Sequence, residues 1–395
     1  MSARLFLSYA HEDSESAARI AEELLARGIR IWQDVDDIRL GKRIESEMED
    51  GIDTCEGIVH LLTQAAIASP AVRREVELAI RRRRRDPDFR VFAVARGIGE
   101  GHEEVGELTL VQFGENFARD WLELLAANEE PVDHAEAAAF TRKVLRSLLP
   151  RGKGPEDGTW RIGLHTRSLA AGEADLDLDW RPLLGLDARH PGDYESWGRA
   201  WRAVRDVRDV LCEHSARRQI CLEPAAHQTA AMIFGLAFSA NARFWLAVVD
   251  QEGKEWSREA SAQPDGFTIN RQPENLEGTY LTIEIEVARQ ILPAVAEHIA
   301  ATGEEPRARL LATPTDSVDW MEPRAGAQLA RALAAAVKEA IDDLSVRRVE
   351  VYTAAPIPLA TLFAAELGAL HAEIAIFEFH EDGYRPSIAI PEEER

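Results

Sequence analysis

The sequence predicts an α/β protein: a doubly wound domain on a parallel sheet, followed by two further α/β halves in tandem. Three observations support this. Short apolar strand segments alternate with amphipathic helical segments along the chain, the order that builds parallel sheets. Ile58 to Leu62 is a nearly unbroken apolar run, as in a strand covered on both faces. Pro150 to Gly158, PRGKGPEDG, is rich in Pro, Gly and charge with nothing apolar, and so marks a join. The expected organisation is a first domain over 1–148, a linker over 149–158 and a second domain over 159–395, with halves of about 159–270 and 271–395.

A chain of 395 residues, 46% hydrophobic and 29% charged, can bury the cores of two or three domains. No apolar run approaches a membrane span, and the charges in MSARLFLSYAHED come too early for a signal peptide, so a cytoplasmic location is expected. Cys55, Cys212 and Cys221 have neither CxxC nor Cys/His ligand spacing, which argues against disulfides and a metal site. A net charge of -23 opposes adsorption to long nucleic acid. Any nucleotide ligand must then be small and held in a pocket.

In the first domain, Leu5 to Ser8 reads as a strand and Tyr9 to Asp13 as a polar loop. Ser14 can cap a helix with Ala17, Ile20, Ala21, Leu24 and Leu25 inward, ended by Gly28. Ile29 to Trp32 is a second strand, followed by the acidic loop QDVDDIRLGKR and a helix carrying Ile44, Met48 and Ile52. After strand Ile58 to Leu62, Ser69 and Pro70 read as the N-cap and first residue of a helix with Val72, Val76, Ala79 and Ile80 on its apolar face. Glu75 falls on the border of that face, partly desolvated yet within reach of a ligand. The pattern alone also fits an ordinary amphipathic helix whose glutamate pairs with a nearby arginine. Strand Arg90 to Val94 and a helix around Phe117 to Leu125 complete the domain. The run Arg81 to Arg85 reads as a solvated helix end, with a subunit contact as the alternative. In such a fold ligands collect at the carboxyl ends of the strands, where Tyr9 to Asp13, the acidic loop and Ser69 converge.

LFLSYAHED, IWQDVDDIRLG, VHLLT and SPAVRREVELA, in this order and spacing, resemble a TIR (Toll and interleukin-receptor) domain of the bacterial enzymatic kind, with a flavodoxin-like parallel sheet. The resemblance covers roughly the first third of the chain. It implies cleavage of NAD between nicotinamide and ribose, dependent on the glutamate of an S-x-W-x-x-x-E pattern. Here that glutamate is Glu75 and the serine Ser69. The aromatic position is Ala71, which leaves Tyr9 or Trp32 to stack on the nicotinamide. Asp34 to Gly41 resembles the BB loop, with Arg39 and Gly41 matching its core and Tyr9, Ala10 and His11 as first-loop residues facing the ligand. His11 also reads as a surface loop histidine, and Asp34, Asp36 and Asp37 as solvated turn residues. No cofactor is expected, NAD being the substrate.

In the second domain the first half reads as strand Ile162 to Leu164, helix Tyr194 to Cys212, strand Ile220 to Leu222, helix Thr229 to Phe238 and strand Phe244 to Val249. The second half reads as strand Leu281 to Ile285, helix Val287 to Ala300, strand Arg309 to Ala312, helix Ala325 to Ile341, strand Val349 to Tyr352, helix Leu359 to Leu367 and strand Ile374 to Phe379. Helices that start straight after strands can hold phosphates on free backbone N–H groups. DLDLDW, AAHQTAAMIFGLAF and VEVYTAAPIPLATLFAAELG resemble a SAVED domain, a cyclic-oligonucleotide sensor of two fused CARF-like, Rossmann-like units. His227, Gln228 and Thr229 in one half, and Asp316, Ser317, Trp320, Arg324, Ala355 and Pro356 in the other, are the candidate ligand contacts. Trp320 would stack an adenine and Arg324 would reach a phosphate, whereas Thr229 and Ser317 also read as plain N-caps. Trp32, Trp180 and Trp245 read as core or edge packing.

The TIR-SAVED combination resembles an effector of cyclic-oligonucleotide-based antiphage signalling (CBASS). It implies that a cyclic oligonucleotide, with cyclic tri-adenylate as the expected one, drives self-assembly into an oligomer or filament that switches on the NADase. Neither long nucleic acid nor membrane is an expected partner. The alternative is a ligand-gated, non-enzymatic TIR scaffold that recruits other proteins.

Overall fold

The computed structural model describes residues 3–32, 44–95, 133–149, 155, 158–167, 174–185, 192–214, 218–239, 243–258, 266–272, 275–315, 321–380 and 383–395. The chain divides into two compact units, Met1–Pro150 and Arg151–Arg395. The expected helix at Phe117 to Leu125, the acidic loop with Arg39 and Gly41, and Asp316, Ser317 and Trp320 lie outside the described residues. Among the described residues, no helix is long and apolar enough to cross a membrane.

The first unit is a parallel sheet of β1 (Arg4–Ser8), β2 (Arg30–Trp32), β3 (Gly57–Leu62) and β4 (Arg90–Ala95), in the order β2-β1-β3-β4. The chain leaves β1 for β2 on one side and returns past β1 to β3 on the other. The order therefore reverses between β1 and β3, which opens a crevice at their carboxyl ends. All six residues of β3 are buried, as its apolar run requires. Trp32 stacks on Phe6 with centroids 4.8 Å apart, and its ring lies against Gly51 so closely that a Cβ there would come within 2.8 Å.

Helix α1 (Ser14–Ala26) starts with Ser14 instead of being capped by it, because a 3-10 turn, His11–Asp13, leads straight into it. Gly28 follows its end at φ 83°, a left-handed conformation that glycine adopts without strain. Helix α2 is Ile44–Thr54, and a short helix α3, Gln64–Ala68, precedes α4, Pro70–Arg85. A further helix, α5 (His134–Leu148), has Asp133 as its cap, accepting from the Glu136 amide at 2.9 Å. The arginine run at the end of α4 has local partners: Arg82 pairs with Asp86 at 3.0 Å and Arg83 donates to the Phe89 carbonyl.

The second unit holds two sheets. In the first, β5 (Thr159–His165), β6 (Leu176–Asp179), β7 (Gln219–Ala225) and β8 (Trp245–Val249) run parallel in the order β6-β5-β7-β8, with β9 (Glu255–Ser257) antiparallel at the edge. In the second, β11 (Leu281–Glu286), β12 (Ala308–Pro314), β13 (Arg348–Ala354) and β14 (Glu373–His380) form the parallel core. Antiparallel β10 (Phe267–Arg271) and β15 (Gly383–Ile390) flank it, so residues 267–271 belong to the second half rather than marking the join near 270.

The helices α8 (Gln228–Ala237) and α11 (Ile357–Leu367) pack on each other, and each is apolar almost all round, as a helix buried on every side must be. Between them in sequence lie α9 (Leu292–Thr302) and α10 (Pro323–Leu344); α6 (Arg181–Leu184) and α7 (Tyr194–His214) precede them. The helix expected from Val287 begins only at Leu292. The Val287 and Ala288 amides bond to the Ala354 carbonyl, and the Glu286 carboxylate accepts from the Ile291 and Leu292 amides, so the chain spends this stretch on a turn. Trp180 is fully buried, but Trp245, expected in packing, is 52% exposed. It opens β8 opposite exposed Gln219, at the end of the sheet where strands begin.

Candidate functional site

In the first unit the site is built at the β1/β3 crevice. Ser69 caps α4, its Oγ accepting from the Val72 amide at 3.4 Å, and Pro70 takes the first helical position, where no amide donor is needed. This start sets the rotation of α4. Val72, Val76, Leu78 and Ala79 turn inward, and Glu75 turns with them onto the buried side, 9% exposed. Its Oε2 accepts a hydrogen bond of 2.6 Å from Ser8 Oγ, at the carboxyl end of β1. His60 Nδ1 on β3 lies 3.2 Å from the same hydroxyl. Ser8 and His60 are register partners and both are buried. Burial lowers the His60 pKa to about 4, keeping the ring neutral at ordinary pH.

The loop after β1 is tied to the neighbouring strand. Thr63 Oγ1 donates to Asp13 Oδ2 at 2.6 Å, and the Asp13 amide bonds the Ala10 carbonyl at 2.8 Å. Tyr9 is half-buried, Ala10 buried and His11 exposed. Ser8 and Glu75 meet at the crevice; the Tyr9 to His11 loop follows directly on β1, Ser69 starts α4, and Trp32 packs on Phe6 and Gly51. Ala71 is exposed on the first turn of α4. Sequence reasoning missed Ser8 and His60. The available signal was His60 itself, a polar residue inside an otherwise apolar buried strand.

In the second unit a polar cluster gathers where β5, β7 and β13 end. Gly163 makes room on β5 for a buried pair, His165 Nε2 and Asp177 Oδ1 at 3.1 Å; a Cβ at 163 would come within 2.4 Å of that carboxylate. Thr166 Oγ1 is 2.8 Å from His227 Nδ1 and accepts from the His227 amide. Gln228 Nε2 donates to the Ala355 carbonyl, joining the starts of α8 and α11 across the two halves. Gln228 Oε1 and Thr353 Oγ1 are buried atoms with no hydrogen-bond partner among the described residues. Buried polar atoms are seldom left so, which marks a place for a bound group or water.

Thr229 has another role. It is fully buried and donates its amide and hydroxyl to Glu378 Oε2, so it fastens the halves together. Ala355 is buried, Pro356 is half-buried, and Arg324 is exposed in the first turn of α10. The sequence did not single out His165, Thr166 or Thr353, although DLDLDW holds Asp177.

The family described as the TIR domain matches residues 5–125, and the family described as the SMODS-associated and fused to various effectors sensor domain (SAVED) matches residues 204–390. No curated protein is significantly similar. Among solved structures the chain is similar to the Acinetobacter baumannii Cap4 SAVED/CARF-domain containing receptor with the cyclic trinucleotide 2'3'3'-cAAA. The TM-score is 0.50 and the identity 12%, over 84% of this chain and 88% of that one. The same receptor with 3'3'3'-cAAA matches at TM-score 0.50 and 14% identity, over 88% and 86%. At such identity the likeness is one of fold.

Proposed function

We propose, for a chain that joins an N-terminal TIR domain to a C-terminal SAVED domain, that a cyclic oligonucleotide held by the SAVED part switches on cleavage of NAD by the TIR part. The observation that carries this reading is the Glu75 carboxylate, held by Ser8 at the β1/β3 crevice. Nicotinamide is already a cationic leaving group in NAD. The protein needs chiefly a negative charge beside the ribose as oxocarbenium character develops, and an acceptor for its hydroxyls. Glu75 supplies both, and the products are nicotinamide and ADP-ribose or a cyclic form of it.

The proposed ligand site lies at the starts of α8 and α11. At the two helix N-termini the Thr229 amide is already bonded to Glu378 and Pro358 has no N–H, so the remaining first-turn amides are the backbone donors proposed for phosphates, which suits a chain of net charge -23. Gln228 Oε1 and Thr353 Oγ1 are partners for base or ribose groups. A cyclic trinucleotide in the similarly folded Cap4 receptor supports the ring size, and cyclic tri-adenylate is the proposed activator. The ligand acts by favouring an assembled form in which a neighbour completes the TIR pocket, its effect equal to its differential affinity for that form. Depletion of NAD would make this a CBASS antiphage effector.

A second reading is a ligand-gated TIR scaffold without turnover. Exposed Ala71, where the enzymatic pattern has an aromatic, favours it. The test is nicotinamide release from NAD by the purified chain with and without cyclic tri-adenylate, with cyclic di- and tetranucleotides as controls and light scattering for particle size. Turnover together with particle growth, both lost without the trinucleotide, is expected. Growth without turnover would establish the scaffold, and turnover retained in Glu75→Gln would remove Glu75 from the chemistry.

A further inference from the structure

Glu75 ends a buried polar line of three groups. Ser8 Oγ donates to Glu75 Oε2 over 2.6 Å, and His60 Nδ1 lies 3.2 Å from that Oγ. A serine hydroxyl has one proton and two lone pairs. With Glu75 ionised, that proton belongs to the Ser8–Glu75 bond, so the second bond exists only if His60 donates. A neutral imidazole carries one N–H; the ring also bonds the Ser8 backbone, and the Nδ1–H tautomer is the one that serves the Ser8 hydroxyl. Burial keeps the ring in that neutral state.

The line is costly as a packing solution. β3 is GIVHLL, with every residue buried, and His60 is 2% exposed. A polar ring there loses its hydration and is tolerable only when bonded. An aliphatic residue would fill the strand without that cost. The polar groups occur where the sheet order reverses, at the carboxyl end of β1 and opposite it on β3, and they lead to Glu75.

We propose that His60 and Ser8 are positioning residues for Glu75. His60 fixes the direction of the Ser8 hydroxyl, and Ser8 fixes Oε2 and with it the plane of the carboxylate. The inference rests on the reading of Glu75 as the NAD-cleaving carboxylate. A misdirected carboxylate would still leave NAD bound but would stabilise the developing charge less, so the effect falls on kcat.

The experiment compares the wild-type full chain with Ser8→Ala, His60→Leu and His60→Asn, all with saturating cyclic tri-adenylate. Ser8→Ala and His60→Leu are expected to lower kcat roughly 10- to 100-fold, the scale on which misplacing a reacting group acts, with KM for NAD within about 3-fold. His60→Asn keeps a donor near the Nδ1 position and is expected to recover most of the kcat lost in His60→Leu. A Ser8→Ala kcat within about 2-fold of wild type, or an Asn variant no better than Leu, would overturn the proposal. A second readout does not need turnover. In the full chain with 15N-labelled histidine, identified by comparison with His60→Asn, the His60 ring is expected as the Nδ1–H tautomer and to lose that preference in Ser8→Ala. An Nε2–H ring in the wild type would overturn the proposal. A wild type that binds ligand without releasing nicotinamide, yet shows the Nδ1–H ring, would remove the NADase reading and leave the positioning geometry standing.

Discussion

Thr229 and Glu378 lie 149 positions apart and are joined twice: the Thr229 amide and hydroxyl both donate to Glu378 Oε2, at 2.9 and 2.7 Å. Ser387 Oγ is 3.0 Å from the same hydroxyl. The start of α8 in one SAVED half is thus anchored to β14 and β15 of the other. Glu378 is 8% exposed, so its carboxylate has little access to water should a donor be lost.

Thr229→Val keeps the shape and removes the hydroxyl. A hydrogen bond to a charged group is worth about 1.5–3 kcal/mol, and that loss of stability is expected. Thr229→Ser, which keeps the donor, should lose much less. Chemical denaturation of the three proteins checks this; a Val variant as stable as wild type would mean that the amide bond alone satisfies Glu378.

Gln228 should behave in the opposite way, with little effect on folding and a larger one on ligand. Its Nε2 bonds the Ala355 carbonyl while its buried Oε1 has no partner among the described residues. Gln228→Leu is expected to weaken cyclic tri-adenylate binding about 10-fold by calorimetry, the scale of one or two lost hydrogen bonds. It should cost less stability than Thr229→Val. An unchanged affinity would take Gln228 out of the ligand site.

His60 gives the first unit a pH dependence of definite sign. Its folded pKa is lowered to about 4 by burial, whereas an unfolded histidine titrates near 6.5, on the order of the reference value. As pH falls through about 6.5 the unfolded chain takes up this proton first, so stability declines. The decline ends near 4, where the folded ring is protonated too, after a loss on the order of 3 kcal/mol. Denaturation of wild type and His60→Asn between these limits isolates the term from the carboxylates. The wild-type curve should fall more steeply by one proton, and parallel curves would mean that the ring is not held neutral.

Local chemistry made part of this legible. Ser69 and Pro70 mark the start of α4 because capping and a missing amide act within four residues, and the rotation that follows places Glu75. The apolar run of β3 reveals a strand covered on both faces. The partners of Glu75 were not legible, because Ser8 and His60 meet only through the β1–β3 register, a tertiary fact. Thr229 presented the same difficulty: it lies one residue inside α8, which starts at Gln228 after His227, and its bonds to Glu378, far along the chain, could not be read locally. The edge strands β9, β10 and β15 are short or interrupted and carry weaker apolar runs than the core strands. Asp133 and Glu136 offered a capping pattern for α5 and its alanines favour helix, so this element was legible locally.

Gly235 sets two known effects against each other. It lies in the last turn of α8; inside a helix, replacing glycine by alanine ordinarily stabilises by up to about 1 kcal/mol. Here a Cβ would stand 2.2 Å from the Thr361 carbonyl and 3.0 Å from Ala364 Cβ on α11. A backbone carbonyl cannot rotate away as a side chain can, and α11 is buried along nearly its whole length. Overpacking of this kind costs about 1–3 kcal/mol or more, so the clash outweighs the propensity. Gly235→Ala is therefore expected to unfold at lower temperature than wild type. It should also bind cyclic tri-adenylate more weakly, since parting α8 from α11 separates Gln228 from Ala355. A variant that melts higher would show that the two helices can move apart freely, and the close pairing of their N-termini would then no longer support a shared phosphate site.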